Sequence, residues 1–517
     1  MPNIFEKDCV KVVYRTGLEL PPVWIGRDID SSVQEGFGSV FVSGKKRIFA
    51  AELERRISGA QQGIVLCSFL LADQKIEDAL YEAAQRGVRV YIMLACETRL
   101  DKEEPDDEFG QMCLKQHKAM LKLFSGKAFI RSAPFFHAKI VLIDALSEVG
   151  EDSYGALLTA NVTREALERN EEIMIPLNAD EIREAVNILR WALFETAEHE
   201  VDGGAKFTSI QPLEELKYPG VLKNICCTSK NETGIFERAL AVIESSRREL
   251  IVSSFGWDAD HSIVEAICRK AEEGVKITVL ARLRPSAMDA LVRLENAGVE
   301  VLGFKWLHAK AVWSDSGEAV VMSANLQKHG MDDGFELGVG LSGQRASDLF
   351  DSLSSWKKNA PWQFQQGVKL GDVSGRIKIW EAGKLLDEII VVKSGTVNLP
   401  DVKAKCVTRL GVDIVPPEKG VMELPFHEVK YLWKVTAPKL PTKSNEIFLK
   451  DTITEKNSRT LKDKGKGKDT KRSYDPKVYR LPSGEKVIAI SRAEDLNKAL
   501  KLKERAEFNK ANIVAAN

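Results

Sequence analysis

The chain has 517 residues, enough for two or three units each with its own core, and its 44% hydrophobic and 29% charged residues are those of a globular protein. The opening MPNIFEKDCVK carries charges where a leader needs an apolar core, and runs such as IVLCSFLLA are too short to span a bilayer. Eight cysteines without C-x-x-C spacing read as small buried hydrophobes rather than a disulfide or zinc framework, so a cytoplasmic protein with no metal site and no cofactor is expected.

The net charge of −1 conceals an asymmetry. Residues 371–517 hold 30 Lys and Arg against 20 Asp and Glu, which leaves 44 against 55 in residues 1–370. An acidic body with a basic appendage points to an anionic partner for the appendage.

Residues 1–45 contain β-like segments, VKVVYR and GSVFVSG, that would cover an edge of the sheet that follows. Residues 46–205 then alternate helix and strand: RIFAAELERRISGA, IVLCSFLLA, KIEDALYEAAQRG and VRVYIMLA, as a sheet covered by helices requires. The charged ETRLDKEEPDDEFG reads as a solvated loop, followed by a helix through MCLKQHKAMLKLF. Next comes FFHAKIVLID, an alternating apolar run predicted as a strand, with His137, Lys139 and Asp144 at i, i+2 and i+7. On a strand, His and Lys two apart share a face. LLTAN then ends at Asn161, and the strand-like EEIMIPL places Glu172 eleven positions later.

Residues 206–365 repeat this order. IVLCSF aligns with LIVSSF, and GVRVYIMLA with GVKITVLA. WLHAKAVWSD carries His308, Lys310 and Asp315 at the same spacing, VMSAN ends at Asn325, and Glu336 again follows by eleven. One strand His beside one Lys is usually a surface pair. Two copies of a four-part spacing point to an active site.

These residues resemble the phospholipase D superfamily, whose signature is His-x-Lys, four residues, Asp, then Gly-Ser-x-Asn. At the Gly-Ser positions this chain has Leu158 and Thr159, and Met322 and Ser323, so only the hydroxyl is kept. Asn161 lies 24 residues after His137 whereas Asn325 lies 17 after His308; the extra ALSEVGEDSYG suits an enlarged hairpin turn.

The resemblance implies two similar α/β lobes, mixed sheets flanked by helices, related by a pseudo-twofold axis and sharing one cleft. It also implies metal-independent phosphodiester cleavage through a covalent phosphohistidine, with His137 as nucleophile and His308 as acid and base. Lys139, Lys310, Asn161 and Asn325 would hold the phosphoryl oxygens, while Glu172 and Glu336 would accept from the far ring nitrogens and set the tautomers. Glu171 competes with Glu172, but its offset of ten puts it on the opposite strand face. Asp144 and Asp315 are expected to hold strand ends or turns.

Residues 370–445 read as short strands of a small β-rich domain, either a packing or a binding module. Residues 451–474 are expected to be a disordered linker; within them EKNSRTLKDKGKGKDTKR has eight basic residues against three acidic ones. Residues 475–517 read as a strand followed by the helical RAEDLNKALKLKERAEF.

A nuclease cutting DNA or RNA, of the kind that serves bacterial antiviral defence or DNA processing, is the first expectation, because a basic tail fits a polyanion. Nucleic acid is then the partner, with a helicase or other DNA-processing protein expected to engage residues 370–517. The alternative is a soluble phospholipase D or phosphatidyl transferase whose tail binds anionic headgroups. Phe135, Phe136, Trp306 and Leu307, expected around the cleft, fit acyl chains or stacked bases equally. A non-enzymatic scaffold would not need both full residue sets.

Overall fold

Runs of buried apolar residues bounded by helix caps build two matching sheets. The computed structural model describes residues 36–368 except 45, 96–107, 134, 146–148, 202, 205, 211–216, 221 and 231; outside that span it describes residues 11–14, 22–27, 29, 375–381, 384–392 and short strands up to 514. The chain forms two units: Arg27–Phe364, and Met1–Gly26 with Gln365–Asn517.

In the first unit, the first lobe contributes β1 (Gly36–Phe37), β2 (Val40–Val42), β3 (Gly63–Cys67), β4 (Arg89–Ala95), β5 (Phe129–Ala133), β6 (Ile140–Ile143), β7 (Tyr154–Leu158), β8 (Ile173–Pro176), β9 (His199–Val201) and β10 (Phe207–Ser209). Their spatial order is β10-β9-β5-β4-β3-β6-β7-β8-β2-β1. The second lobe contributes β11 (Ile225–Ser229), β12 (Glu249–Ser254), β13 (Lys276–Arg282), β14 (Glu300–Phe304), β15 (Ala311–Ser314), β16 (Glu318–Met322), β17 (Glu336–Ser342) and β18 (Trp362–Gln365). Their order is β18-β14-β13-β12-β15-β16-β17-β11. Eight positions match in order, β9-β5-β4-β3-β6-β7-β8-β2 with β18-β14-β13-β12-β15-β16-β17-β11. β3, β4 and β5 run parallel, as do β12, β13 and β14; β6, β7 and β8, and likewise β15, β16 and β17, continue each sheet antiparallel.

Helices α1 (Ile48–Gly59), α2 (Gln74–Gln85), α3 (Glu108–Phe124) and α4 (Ala179–Trp191) recur as α5 (Gly234–Ser245), α6 (Ser262–Glu272), α7 (Met288–Asn296) and α8 (Gly343–Asn359). Local sequence sets their ends. Asp73 caps α2 by accepting the Ile76 N–H, and Asn178 with Glu181 forms a capping box on α4. Gly87 and Gly274, both at φ 90°, follow the last turns of α2 and α6 and swing the chain into β4 and β13.

Period-two alternation divides each central strand between two cores. Ile64, Leu66, Val141 and Ile143 face a core inside the first lobe under α1 and α2. Val65, Cys67, Ile140 and Leu142 face the other way, into a cluster that also holds Ile251, Leu280, Val321 and Leu337 of the second lobe. The lobes therefore share one apolar core. At roughly 1.5–3 kcal/mol per buried large side chain, that shared core holds the lobes together around the site between them.

The expected 1–45 extension does not stay together. Val40–Val42 pairs with β8 toward the edge of the first sheet. In the other unit Lys11–Tyr14 runs parallel to Lys384–Val392, and Val23–Gly26 antiparallel to Gly375–Glu381. That unit is β-rich where it is described: Lys486–Ala489 pairs with Val407–Thr408, Lys434–Thr436 and Val478–Arg480, so strands from 370–445 and from 475–517 share a sheet. The basic linker 451–474, the helix expected in RAEDLNKALKLKERAEF and most of the acidic loop before α3 lie outside the described residues.

Candidate active site

The His-x-Lys segments do not lie within strands as expected. β6 begins at Ile140 and β15 at Ala311, each just after the lysine. The residues before them pair across the lobes instead. His137 N–H donates to the Phe335 carbonyl (3.0 Å), and His308 N–H to the Glu171 carbonyl (3.0 Å). Isolated bridges Phe136–Phe335 and Glu171–Leu307 complete the crossing, with the Phe136 and Phe335 rings stacked at 4.9 Å. This reciprocal stitching is pseudo-twofold. It brings the end of each Glu strand beside the His of the other lobe.

The side chains follow the same exchange. His137 Nδ1 lies 2.6 Å from Glu336 Oε1, and His308 Nδ1 lies 2.8 Å from Glu172 Oε1. Each glutamate's second oxygen is held within its own lobe: Thr159 Oγ1 donates to Glu172 Oε2 (2.7 Å) and Ser323 Oγ to Glu336 Oε2. The hydroxyls that survive at the Gly-Ser positions therefore fix the carboxylates. Each hydroxyl also accepts a backbone N–H, from Ile173 (2.9 Å) and Leu337 (3.1 Å).

Lys139 and Lys310 are fully buried and anchored on the carbonyls of His137 and His308, both at 2.6 Å. Each ammonium also lies 3.0–3.1 Å from both nitrogens of its ring. Because Nδ1 faces a carboxylate, the lone pair open to an ammonium, or to a substrate, is on Nε2.

Burial lowers the His137 imidazole to about 3 and His308 to about 4, against the pull of the facing carboxylates. Burial also lowers Lys310 to about 7. Burial works to raise Glu336, but His137 and Lys139 outweigh it and hold the carboxyl down at about 2. Glu172 is depressed in the same way by His308 and Lys310. At neutral pH the site holds neutral rings protonated on Nδ1, set by ionised glutamates.

Asn161 and Asn325 line the same cleft as the two histidines, a cavity of about 470 Å³. Their amide oxygens are buried and take no donor from the described residues. The loops bearing them are tied down instead: Ser68 Oγ accepts the Val162 N–H (3.0 Å) and Ser254 Oγ the Leu326 N–H (3.1 Å).

Asp144 and Asp315 sit away from the rings. Asp144 accepts the N–H groups of Gln61, Gln62 and Gly63, closing the turn from α1 into β3, and Asp315 accepts those of Arg247 and Arg248 between α5 and β12. Of the additional residues ALSEVGEDSYG, 146–148 lie outside the described residues, and Tyr154 pairs with Ile143 where β7 meets β6. Glu171 is not part of the cleft lining, while its backbone supports His308.

The apolar residues expected around the cleft are elsewhere. Phe136 and Leu307 are fully buried between the lobes, and neither Phe135 nor Trp306 lines the cavity. Phe69 and Phe255 take that place, their rings edge-on to His137 (5.5 Å) and His308 (4.9 Å). Both follow the tethering serines in the aligned segments IVLCSF and LIVSSF, so the repeated Ser-Phe pair was the available signal. Arg282 and Arg284, also in the lining, have no such repeat to announce them.

The family described as "Cardiolipin synthase, PLD-like domain" matches residues 53–189 and 239–355, one stretch in each lobe. Among curated proteins none matches the sequence. Similar solved structures include polyphosphate kinase from Porphyromonas gingivalis (17% identity, 61% of this chain and 50% of that one, TM-score 0.41). They also include phosphatidylserine synthase from Haemophilus influenzae Rd KW20 (11%, 67% and 90%, 0.46) and the phospholipase D family member Nuc from Salmonella typhimurium (16%, 28% and 97%, 0.25). The chain spans half the length of the polyphosphate kinase. With a family match in both lobes and a His-x-Lys segment, an Asn loop and a Glu strand repeated in each, the chain belongs to the phospholipase D superfamily.

Proposed function

We propose that the chain cleaves phosphodiesters through a phosphohistidine and that its substrate is nucleic acid. One observation carries the first part: two imidazoles, each oriented by the other lobe's carboxylate, line one cleft. His137 Nε2 attacks phosphorus, forming a P–N bond as the P–O bond to the leaving group breaks. His308 gives its proton to the departing oxygen, which needs a charged ring. The incoming phosphate anion makes that form accessible by offsetting the burial that keeps both rings neutral. His308 then takes a proton from water as the water oxygen replaces the P–N bond. Lys139, Lys310, Asn161 and Asn325 hold the non-bridging oxygens as preorganised donors. This residue set supplies nucleophile, acid and positive charge by itself, so cleavage is expected to persist in excess EDTA; strict dependence on added divalent metal overturns the mechanism.

Arg282 and Arg284 in the cleft wall and the basic balance of residues 371–517 favour a polyanion. A phospholipid diester is the second reading, favoured by Phe69, Leu70, Leu114 and Trp257 in the same lining. Parallel incubation with single-stranded DNA, duplex DNA, RNA and phosphatidylcholine vesicles separates them. Strand scission supports the first reading, and choline release without scission replaces it with the second.

A further inference from the structure

The lobes agree in what faces the scissile phosphorus and differ in what stands beside it. Strand register fixes the equivalence. Cys67 pairs with Met93 as Ser253 pairs with Leu280, so Ala95 at the end of β4 corresponds to Arg282 at the end of β13. Where the first lobe has a buried methyl, the second has a guanidinium that is only 7% exposed. Arg284 follows two positions on, and both line the cleft.

Aromatic rings place these charges. Arg282 lies 5.0 Å from the Phe255 ring centre and 4.9 Å from Trp306, and Arg284 lies 4.1 Å from Phe255, the ring that abuts His308. The two guanidiniums thus stand one aromatic ring away from His308, beyond the position served by the lysines and asparagines. Glu171 acts on Arg282, and burial lifts its carboxyl to about 7. A planar guanidinium presents paired N–H donors that match phosphate oxygens.

We propose that Arg282 and Arg284 form a second anion subsite on the His308 side of the cleft, for the phosphate next to the scissile one. The inference rests on the nuclease reading and gives it a polarity. His308 serves the leaving group, so the neighbouring phosphate belongs to the departing fragment. The first lobe, with Ala95, offers no matching cation at that strand position.

The test compares kcat/KM of the full-length protein on thymidylyl-thymidine and on its 5′-phosphorylated and 3′-phosphorylated forms. One phosphorylated form is expected to be cut roughly tenfold better than the plain dinucleotide. The favoured form should be the one whose extra phosphate leaves on the departing nucleoside. Arg284→Ala, at a half-buried position, and Arg282→Ala, checked for folding by circular dichroism, should each reduce that ratio toward one. Arg284→Lys should retain part of it. Equal cutting of all three substrates overturns the subsite and leaves the nuclease reading standing. So does a preference that both alanine variants preserve. Failure to cut any of the three, with bis(p-nitrophenyl) phosphate still hydrolysed, removes the nuclease reading and the subsite with it.

Discussion

His137 in the first lobe and Glu336 in the second meet at 2.6 Å, so the residue that orients each imidazole comes from the other repeat. A carboxylate on Nδ1 keeps the lone pair on Nε2 and steadies the ring as it becomes charged. Replacing Glu336 or Glu172 by Gln removes that charge while keeping the shape, and kcat is expected to fall roughly 10²–10⁴-fold in each case. The crossing makes a sharper forecast. With bis(p-nitrophenyl) phosphate, Glu336→Gln should slow the first release of nitrophenolate, the step of His137. Glu172→Gln should slow the turnover that follows, the step of His308. The opposite assignment in rapid-mixing kinetics would exchange the roles of the two histidines.

The histidines themselves should separate in the same assay. Nitrophenolate leaves without a proton, so His308→Ala is expected to give a burst of about one equivalent and then stall as a phosphoenzyme. His137→Ala should give no burst. Acid-labile phosphate found on His308 in the His137 variant would exchange the two roles.

Lys310 makes the site sensitive to alkali. Burial brings its ammonium down to about 7, so the charge is present below that pH and is lost as pH rises through it. The proton that His308 needs for a poor leaving group is also more available at lower pH. kcat/KM should therefore decline as pH climbs from 6 to 9, and with nitrophenyl esters the decline should reflect Lys310. A flat profile over that interval contradicts the assignment.

The repeated spacing made the paired site residues and the doubled α/β order readable, because His-x-Lys, Asn and Glu recur at matched offsets. The exchange of glutamates was not readable. Offsets along the chain describe neighbours within one lobe, whereas Glu336 reaches His137 through a crossing formed only when the two sheets share a core. The same crossing explains why FFHAKIVLID looked like one strand. Its alternation is continuous, but Phe136 pairs with Phe335 while Ile140 pairs with Cys67 and Leu157 of its own sheet. Arg282 escaped notice for the opposite reason, since a residue without a counterpart in the other repeat leaves no pattern.

Asp144 and Asp315 complete the repeated motif, yet their carboxylates accept from the segments that join α1 to β3 and α5 to β12, which separates stability from chemistry. Asp144 accepts three backbone N–H groups from residues 61–63 and sits at φ 52°, a left-handed conformation that Asp and Asn tolerate better than other side chains. Asp144→Ala orphans those donors and strains the backbone, so unfolding free energy should drop by about 2–4 kcal/mol. Asp144→Asn keeps an accepting oxygen and should lose less. For Asp315, burial works to raise the carboxyl, but the Arg247 and Arg248 N–H groups and the Arg248 guanidinium hold it down at about 2. Its stabilising contribution is therefore full above the ordinary carboxylate range and lost as pH falls through about 2. Denaturant midpoints measured beside kcat decide the matter. Lower midpoints with kcat within a few-fold of the parent fit turn closure, while a collapse of kcat at an unchanged midpoint would move these aspartates into the reaction.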